Sequence, residues 1–204
     1  MSLLQSGLAK SAAEDAYTID QSLRFDDGDS AYLSRTPSSG GNRRIFTLSC
    51  WVKRGSIGSA NNRIYGNRLD ADNTSWMYFT SGDQLQFYSA DTANSEGTIS
   101  VITTAVFRDP SAWYNVIFGV DITDSGTEVK IYVNGVEQAI TRTVSSFSTN
   151  HLTRINHTVE QDLGRQGPDS AGQYYDGYLA EVYFIDGTRY AASDFAETDS
   201  ATNQ

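Results

Sequence analysis

Chemistry in this chain would have to come from a few polar groups set among aromatic residues. His151 and His157 stand six apart in a polar stretch with no cysteine near them. That is neither a zinc-ligand spacing nor a Ser-His-Asp arrangement, and both imidazoles read as exposed loop residues. Asp26, Asp27 and Asp29 surround Gly28, an oxygen-rich cluster of the kind hard cations favour. Calcium is therefore the one ion to consider and no other cofactor is expected; the spacing is not that of a helix-loop-helix calcium site, and a solvated turn is the competing reading. Sugar recognition needs rings for pyranose faces and planar polar groups for hydroxyls. Two segments have that composition: Asn73 to Tyr78, with Trp76 and Tyr78, and Gln173 to Asp176, with Tyr174, Tyr175 and Asp176. The same rings could instead fill a core. Glycoside hydrolysis needs two carboxyl groups, ~5.5 Å apart in retaining enzymes. The most apolar run, Tyr178 to Ile185, offers only Glu181, with Asp186 five residues later on the opposite face of an alternating strand. No catalytic residue is assigned, and no enzyme is expected.

The elements that must position these groups are strands. In Ile45 to Lys53, Phe46, Leu48, Cys50 and Val52 share one face, while Trp51 falls on the other. Further short strands are expected at Arg63 to Gly66, Trp76 to Thr80 and Gln84 to Tyr88, then in a hairpin of Trp113 to Ile122 with Thr127 to Val133. Asn134-Gly135 suits a turn needing two positive φ angles. Thr158 to Leu163 and Tyr174 to Ile185 complete the set, and Ala191 to Glu197 holds the only expected helical turn. Polar pairs at Arg108-Asp109 and Arg142-Thr143 would blunt sheet edges. No segment repeats at a solenoid period, so the fold class is all-β: a two-sheet antiparallel jelly-roll sandwich preceded by an N-terminal arm. Residues 1–21 form the arm, with Leu3, Leu4, Leu8 and Tyr17 as its anchoring residues for assembly, 22–197 the domain and 198–204 a C-terminal tail.

Composition narrows the partners. The 204 residues carry 15 Lys and Arg against 25 Asp and Glu, a net charge of -10, which disfavours nucleic acid and anionic membranes. Cys50 is the only cysteine, so no internal disulfide forms and a buried thiol is expected. No run reaches the ~18 apolar residues of a membrane span, and the N-terminus is a poor secretory signal.

The segments SLRFDDGDSAYLSR, IFTLSCWVKRG, WYNVIFGVDITDSGTEVKIYVNGVEQ and DLGRQGPDSAGQYYDGYLAEVYFIDG resemble, in order, the strands of the laminin-G-like branch of the concanavalin A lectin and glucanase superfamily. Enzymes of that superfamily carry a Glu-x-Asp-x-Glu run on one strand, which is missing here. Its lectin-like members often hold calcium in loops, which makes Asp121, Asp124 and Asp176 secondary candidates. A narrower resemblance, in Ala12 to Phe25, Asp29 to Arg35 and Ile185 to Asp199, is to structural proteins of marine bacteriophages. It implies a non-catalytic virion protein, a head decoration or tail or fibre component, assembled in the bacterial cytoplasm. Other virion proteins would be met through the arm, a host-surface glycan would be a possible ligand, and a homo-oligomer, with a trimer favoured, would be its unit. A free-standing carbohydrate-binding lectin is the alternative, and a glucanase-like hydrolase the third reading.

Overall fold

The computed structural model describes residues 20–58, 62–124, 126–144, 147–168 and 173–195. The expected arm anchors Leu3, Leu4, Leu8 and Tyr17, and the 198–204 tail, lie outside the described residues. In chain order the strands are β1 (Leu23–Phe25), β2 (Leu33–Arg35), β3 (Ile45–Arg54), β4 (Asn62–Arg68), β5 (Asn73–Phe79), β6 (Leu85–Asp91) and β7 (Gly97–Thr103). They continue with β8 (Tyr114–Asp121), β9 (Val129–Val133), β10 (Val136–Glu137), β11 (Ile140–Val144), β12 (Gln161–Leu163) and β13 (Gly177–Asp186), before a single 3₁₀ turn at Ala192–Asp194. All named pairings are antiparallel. They make a six-stranded sheet ordered β1-β13-β3-β8-β9-β10 and a seven-stranded sheet ordered β11-β7-β6-β5-β4-β12-β2.

Alternation places the core between these sheets. Phe46, Leu48, Cys50 and Val52 of β3 have no solvent exposure, and they meet Ile64, Met77, Phe79 and Phe87 of the facing sheet. Each such side chain contributes about 1.5–3 kcal/mol of burial free energy. Burial pushes the Cys50 thiol up to about 12, so it stays protonated and inert. Asn134 and Gly135 join β9 to β10 with φ of 48° and 80°, the turn that their sequence requires.

Strand β13 departs from simple alternation. Leu179 pairs with Val52 and Phe184 with Leu48, so both face the core although they stand an odd five positions apart. One extra residue between Ala180 and Tyr183 makes this possible. Glu181 takes the left-handed conformation there, at φ 48°, which is how a bulge re-aims the residues beyond it.

Arg54, at the end of β3, is buried against Asp83 at 2.9 Å. Asp83 sits in the β5–β6 turn at φ 66°, and it also accepts from the Gly58 amide and the Arg108 guanidinium, each at 2.8 Å. Arg108 therefore pins a loop to this turn rather than blunting a sheet edge, while Arg142 lies on the edge strand β11 and is paired with Glu128. At the C-terminal end, Ala192 caps a small second core with Ile117 and Tyr132. Thr47 Oγ1 donates to Thr188 O and accepts from Tyr190 N, both at 2.8 Å, holding this segment against the outer face of the six-stranded sheet.

His151 corrects the expectation of an exposed loop imidazole. It has no solvent exposure, its Nε2 lies 2.7 Å from Ser89 Oγ, and its ring meets Phe147 edge-on. The surrounding segment folds over the end of the seven-stranded sheet, with Arg154 N donating to Ser75 Oγ at 2.9 Å. His157 is half-buried. Desolvation holds the His151 imidazole below its ordinary value of 6.5, so the unfolded chain takes up its proton first as pH falls. His151→Gln is expected to flatten the fall in stability below about pH 6.5 relative to the native chain. Urea unfolding of both proteins from pH 7.5 to 5 measures this, and parallel curves would contradict it.

Candidate functional site

The β5–β6 hairpin sets the site. With Met77 and Phe79 turned into the core, the intervening Trp76 and Tyr78 face outward, and the register places Trp76 across from Tyr88 and Tyr78 across from Gln86. The Trp76 and Tyr88 rings are stacked at 5.4 Å with a 21° interplanar angle, and Tyr78 meets Trp76 edge-on at 6.3 Å. Arg63 of β4, opposite Tyr78, sets its guanidinium 3.8 Å from the Tyr78 ring centre and 4.2 Å from that of Trp76. Desolvated contacts of this kind contribute roughly 2 kcal/mol.

A polar chain runs across four strands beside the rings. Tyr78 Oη donates to Gln86 Oε1 at 2.7 Å, and Gln86 Nε2 donates to Ser100 Oγ at 2.8 Å; Ser100 and Thr143 share a hydrogen bond of 2.5 Å. On the other flank Gln166 and Gln173 close in. Trp76 Nε1 donates to Gln166 O at 3.0 Å and Arg63 Nη2 to Gln173 Oε1. Arg63 is only 2% exposed, and its Nε and Nη1 have no hydrogen-bond partner among the described residues. Burial pushes its guanidinium down to about 10, which leaves it cationic at neutral pH.

The five residues expected to bind sugar divide. Trp76 and Tyr78 come together, but as an interlocked pair rather than an open platform, since Tyr78 is 7% exposed and Trp76 carries both Tyr88 and Arg63 on its ring. Tyr174 lies on the flank, 6.4 Å from Tyr32, whose ring receives the Arg165 guanidinium at 3.6 Å. Arg165 in turn holds Asp162, whose carboxyl burial pushes up to about 6. Tyr175 is corrected to a core residue: it is fully buried, edge-on to Phe25, and donates to Lys53 O at 3.1 Å. Neighbouring side chains on an extended segment point to opposite sides, so one of the two tyrosines had to turn away.

Asp176 goes instead toward the acidic turn, where burial and then the charges of Asp27 and Asp26 hold its carboxyl above the usual range. Asp26 is engaged locally, at 3.0 Å from both Arg24 Nη2 and the Gly28 amide. Asp121 and Asp124 are likewise used in their own turn, by Thr123 and by Thr127 and Arg189. Among the described residues, no three His, Cys, Asp or Glu side chains are grouped to hold a metal ion. The calcium expectation at Asp26, Asp27 and Asp29 therefore gains no donor set here. Glu181 and Asp186 lie five residues apart on one strand, about 16 Å along it, too far to flank one glycosidic bond. Asp186 is hydrogen-bonded to Asn42 N and Asn156 Nδ2, each at 2.7 Å.

Two other surfaces are separate from the ring ladder. A cleft of about 600 Å³ opens between the sheets, lined by Leu33, Pro37, Tyr65, Gln161, Leu163 and Phe184. On the six-stranded sheet Trp113 meets Tyr178 at 6.4 Å, and Tyr183 stands exposed further along β13.

Residues 26–193 match the family described as the concanavalin A-like lectin/glucanases superfamily. The chain belongs to that superfamily. Its concanavalin A-like sandwich is also similar to solved structures at low identity. The carbohydrate-binding module (CBM40) of a Ruminococcus gnavus IT-sialidase superposes with a TM-score of 0.55 at 12% identity, covering 79% of this chain and 95% of that one. Domain 4 of AbnA, an extracellular arabinanase of Geobacillus stearothermophilus in complex with arabinotriose, gives 0.53 at 18%, with 76% and 68% covered. A heptameric SAP-like pentraxin of Limulus polyphemus gives 0.51 at 15%, with 84% and 76% covered. No curated protein matches the chain by sequence.

Sequence reasoning missed Arg63, Gln86 and Tyr88, while Gln173 stood inside one of the two segments it named for sugar binding. Tyr88 and Gln86 carried a usable signal, because a tight turn over residues 80–83 fixes which residues face Trp76 and Tyr78. Arg63 carried none, since a register shift between Arg63 and Tyr65 decides its face.

Proposed function

We propose that this chain is a non-catalytic carbohydrate-binding domain whose glycan lies across the outer face of the seven-stranded sheet. One observation carries the reading: the Tyr78-Gln86-Ser100-Thr143 chain of hydrogen bonds runs beside the stacked Trp76 and Tyr88. Amide and hydroxyl groups that both donate and accept suit sugar hydroxyls, and Tyr88, at the outer end of the interlocked rings, is the aromatic group that suits the apolar face of a pyranose. Two of the similar structures, a sialidase carbohydrate-binding module and an arabinanase domain in complex with arabinotriose, support the same class of ligand. The separation of Glu181 from Asp186 supports binding without turnover. A setting on a phage particle rests on the segment resemblance alone, so glycan binding comes first.

A glycan array followed by calorimetry on the best ligand tests this. Tyr88→Ala is expected to weaken binding by roughly tenfold or more, the effect of losing one aromatic anchor. Tyr183→Ala, on the other sheet, is expected to leave it unchanged. Binding lost in the second variant and kept in the first would move the site to the six-stranded face, and an array with no ligand would end the reading.

A further inference from the structure

Three arginines are buried among the described residues: Arg54, Arg63 and Arg165. Two of them are matched by carboxylates of the chain, Arg54 by Asp83 at 2.9 Å and Arg165 by Asp162 at 3.0 Å and by Glu160 at 2.5 Å. Arg63 is different. Among the described residues no carboxylate pairs with it; its Nη2 donates to the neutral amide oxygen of Gln173, and its Nε and Nη1, like Arg54 Nε, find no partner there, so the absent carboxylate is what sets Arg63 apart. The chain has 25 acidic residues against 15 basic ones, so a buried cation without an acid is not explained by any shortage of acids. Burying a charge is costly unless it is paired and hydrogen-bonded. The Trp76 and Tyr78 rings offset part of that cost through their π-faces, but rings leave the in-plane N–H groups unanswered.

We infer that the missing acid is supplied by the ligand: the outer face of the seven-stranded sheet takes a glycan bearing a carboxylate, and Arg63 is the residue that reads it. This rests on the glycan-binding reading and narrows it to acidic sugars. Nε and Nη2 form one edge of a guanidinium, the edge that grips a carboxylate with two parallel hydrogen bonds. Gln173 Oε1 holds one of those two positions now. Its backbone is in the left-handed region, at φ 60°, and its side chain is half-buried, so the amide acts as a neutral occupant that a carboxylate displaces. The hydroxyls of the same sugar then face Gln86 and Ser100, which separates this site from a bare anion trap.

The test changes the ligand before it changes the protein. Calorimetry on the native chain compares a galacturonate trimer with its fully methyl-esterified form, and sialyllactose with its methyl ester. At least one acid is expected to bind tenfold or more tighter than its ester, with added salt eroding only the acid's affinity. Arg63→Gln is expected to bring acid and ester level, while Gln173→Ala strengthens the acid several-fold and leaves the ester unchanged. Should Arg63→Gln fail to fold, the acid and ester comparison on the native chain and the Gln173→Ala variant still decide. Equal affinity of acids and esters, neutral glycans binding where no acid does, or an acid preference that survives in Arg63→Gln would each overturn the inference while leaving glycan binding intact. An absence of any glycan ligand, acidic or neutral, would remove the underlying reading as well.

Discussion

Asp83→Asn is expected to lower the unfolding free energy by about 3–5 kcal/mol, the cost of leaving a buried arginine without its partner. The change keeps the shape of the side chain, and asparagine tolerates the left-handed backbone that residue 83 adopts at φ 66°. What it removes is the charge facing Arg54, which is 1% exposed at the side chain, and Arg108. Four separate stretches meet at this carboxylate: the end of β3, the Gly58 amide, the β5–β6 turn and the segment at Phe107 and Arg108, where Arg54 Nη1 also donates to Phe107 O at 2.5 Å. Burial alone would raise the Asp83 carboxyl, but the Gly58 amide, Arg108 and Arg54 together hold it below its ordinary value of 3.8. Its stabilisation is thus present above that pH and is lost as pH falls below it. Urea unfolding at pH 7 measures the effect, and a loss under about 1 kcal/mol would show that the pair does not anchor the turn.

Gly66→Ala is expected to cost about 3 kcal/mol or more and to weaken glycan binding in whatever fraction stays folded. Gly66 lies opposite Trp76 at φ 154°, and a Cβ there would stand 2.2 Å from Ser75 O. That contact is with backbone, so it can be relieved only by moving β4 away from β5, the two strands that carry Arg63 and Trp76. Gly82→Ala is the control. Its Cβ would meet nothing nearer than the Gln84 side chain at 3.3 Å, and a loss below about 1 kcal/mol is expected. Thermal unfolding of the two variants side by side separates them, and equal losses would contradict the close approach of the strands.

The sandwich was legible because its central strands follow strict alternation. Phe46 to Val52 and Val129 to Val133 declare their inward faces without help, and Asn134-Gly135 declares its turn. Strand β7 was missed because Thr98, Ser100 and Thr103 dilute the two apolar residues Ile99 and Val101 that hold it in the core. Strand β12 falls inside the expected Thr158 to Leu163 run, whereas β2 is three exposed residues recruited by pairing with β12, a long-range event that no local alternation announces. His151 failed for a related reason: its polar neighbours suggest a loop in water, yet Ser89 and Phe147 enclose it from distant parts of the chain.

The site was legible only in part. Trp76 and Tyr78 were recognised by residue type, and the strand register then decides what they do. Tyr175 shows the limit of that approach, since its composition suits a sugar platform as well as Tyr174 does while its direction sends it against Phe25. Arg63 was invisible because its face depends on the irregularity in β4, and its importance depends on what fails to stand beside it.

The indole N–H signals of the three tryptophans test the location of the site most directly. Trp76 belongs to the ring ladder, whereas Trp51 and Trp113 lie on or beside the six-stranded sheet. In an NMR titration with the best glycan ligand, after assignment by single Trp→Phe changes, the Trp76 resonance is expected to shift progressively to saturation while the other two stay in place. A titration that moves Trp113 or Trp51 and leaves Trp76 fixed would contradict the account.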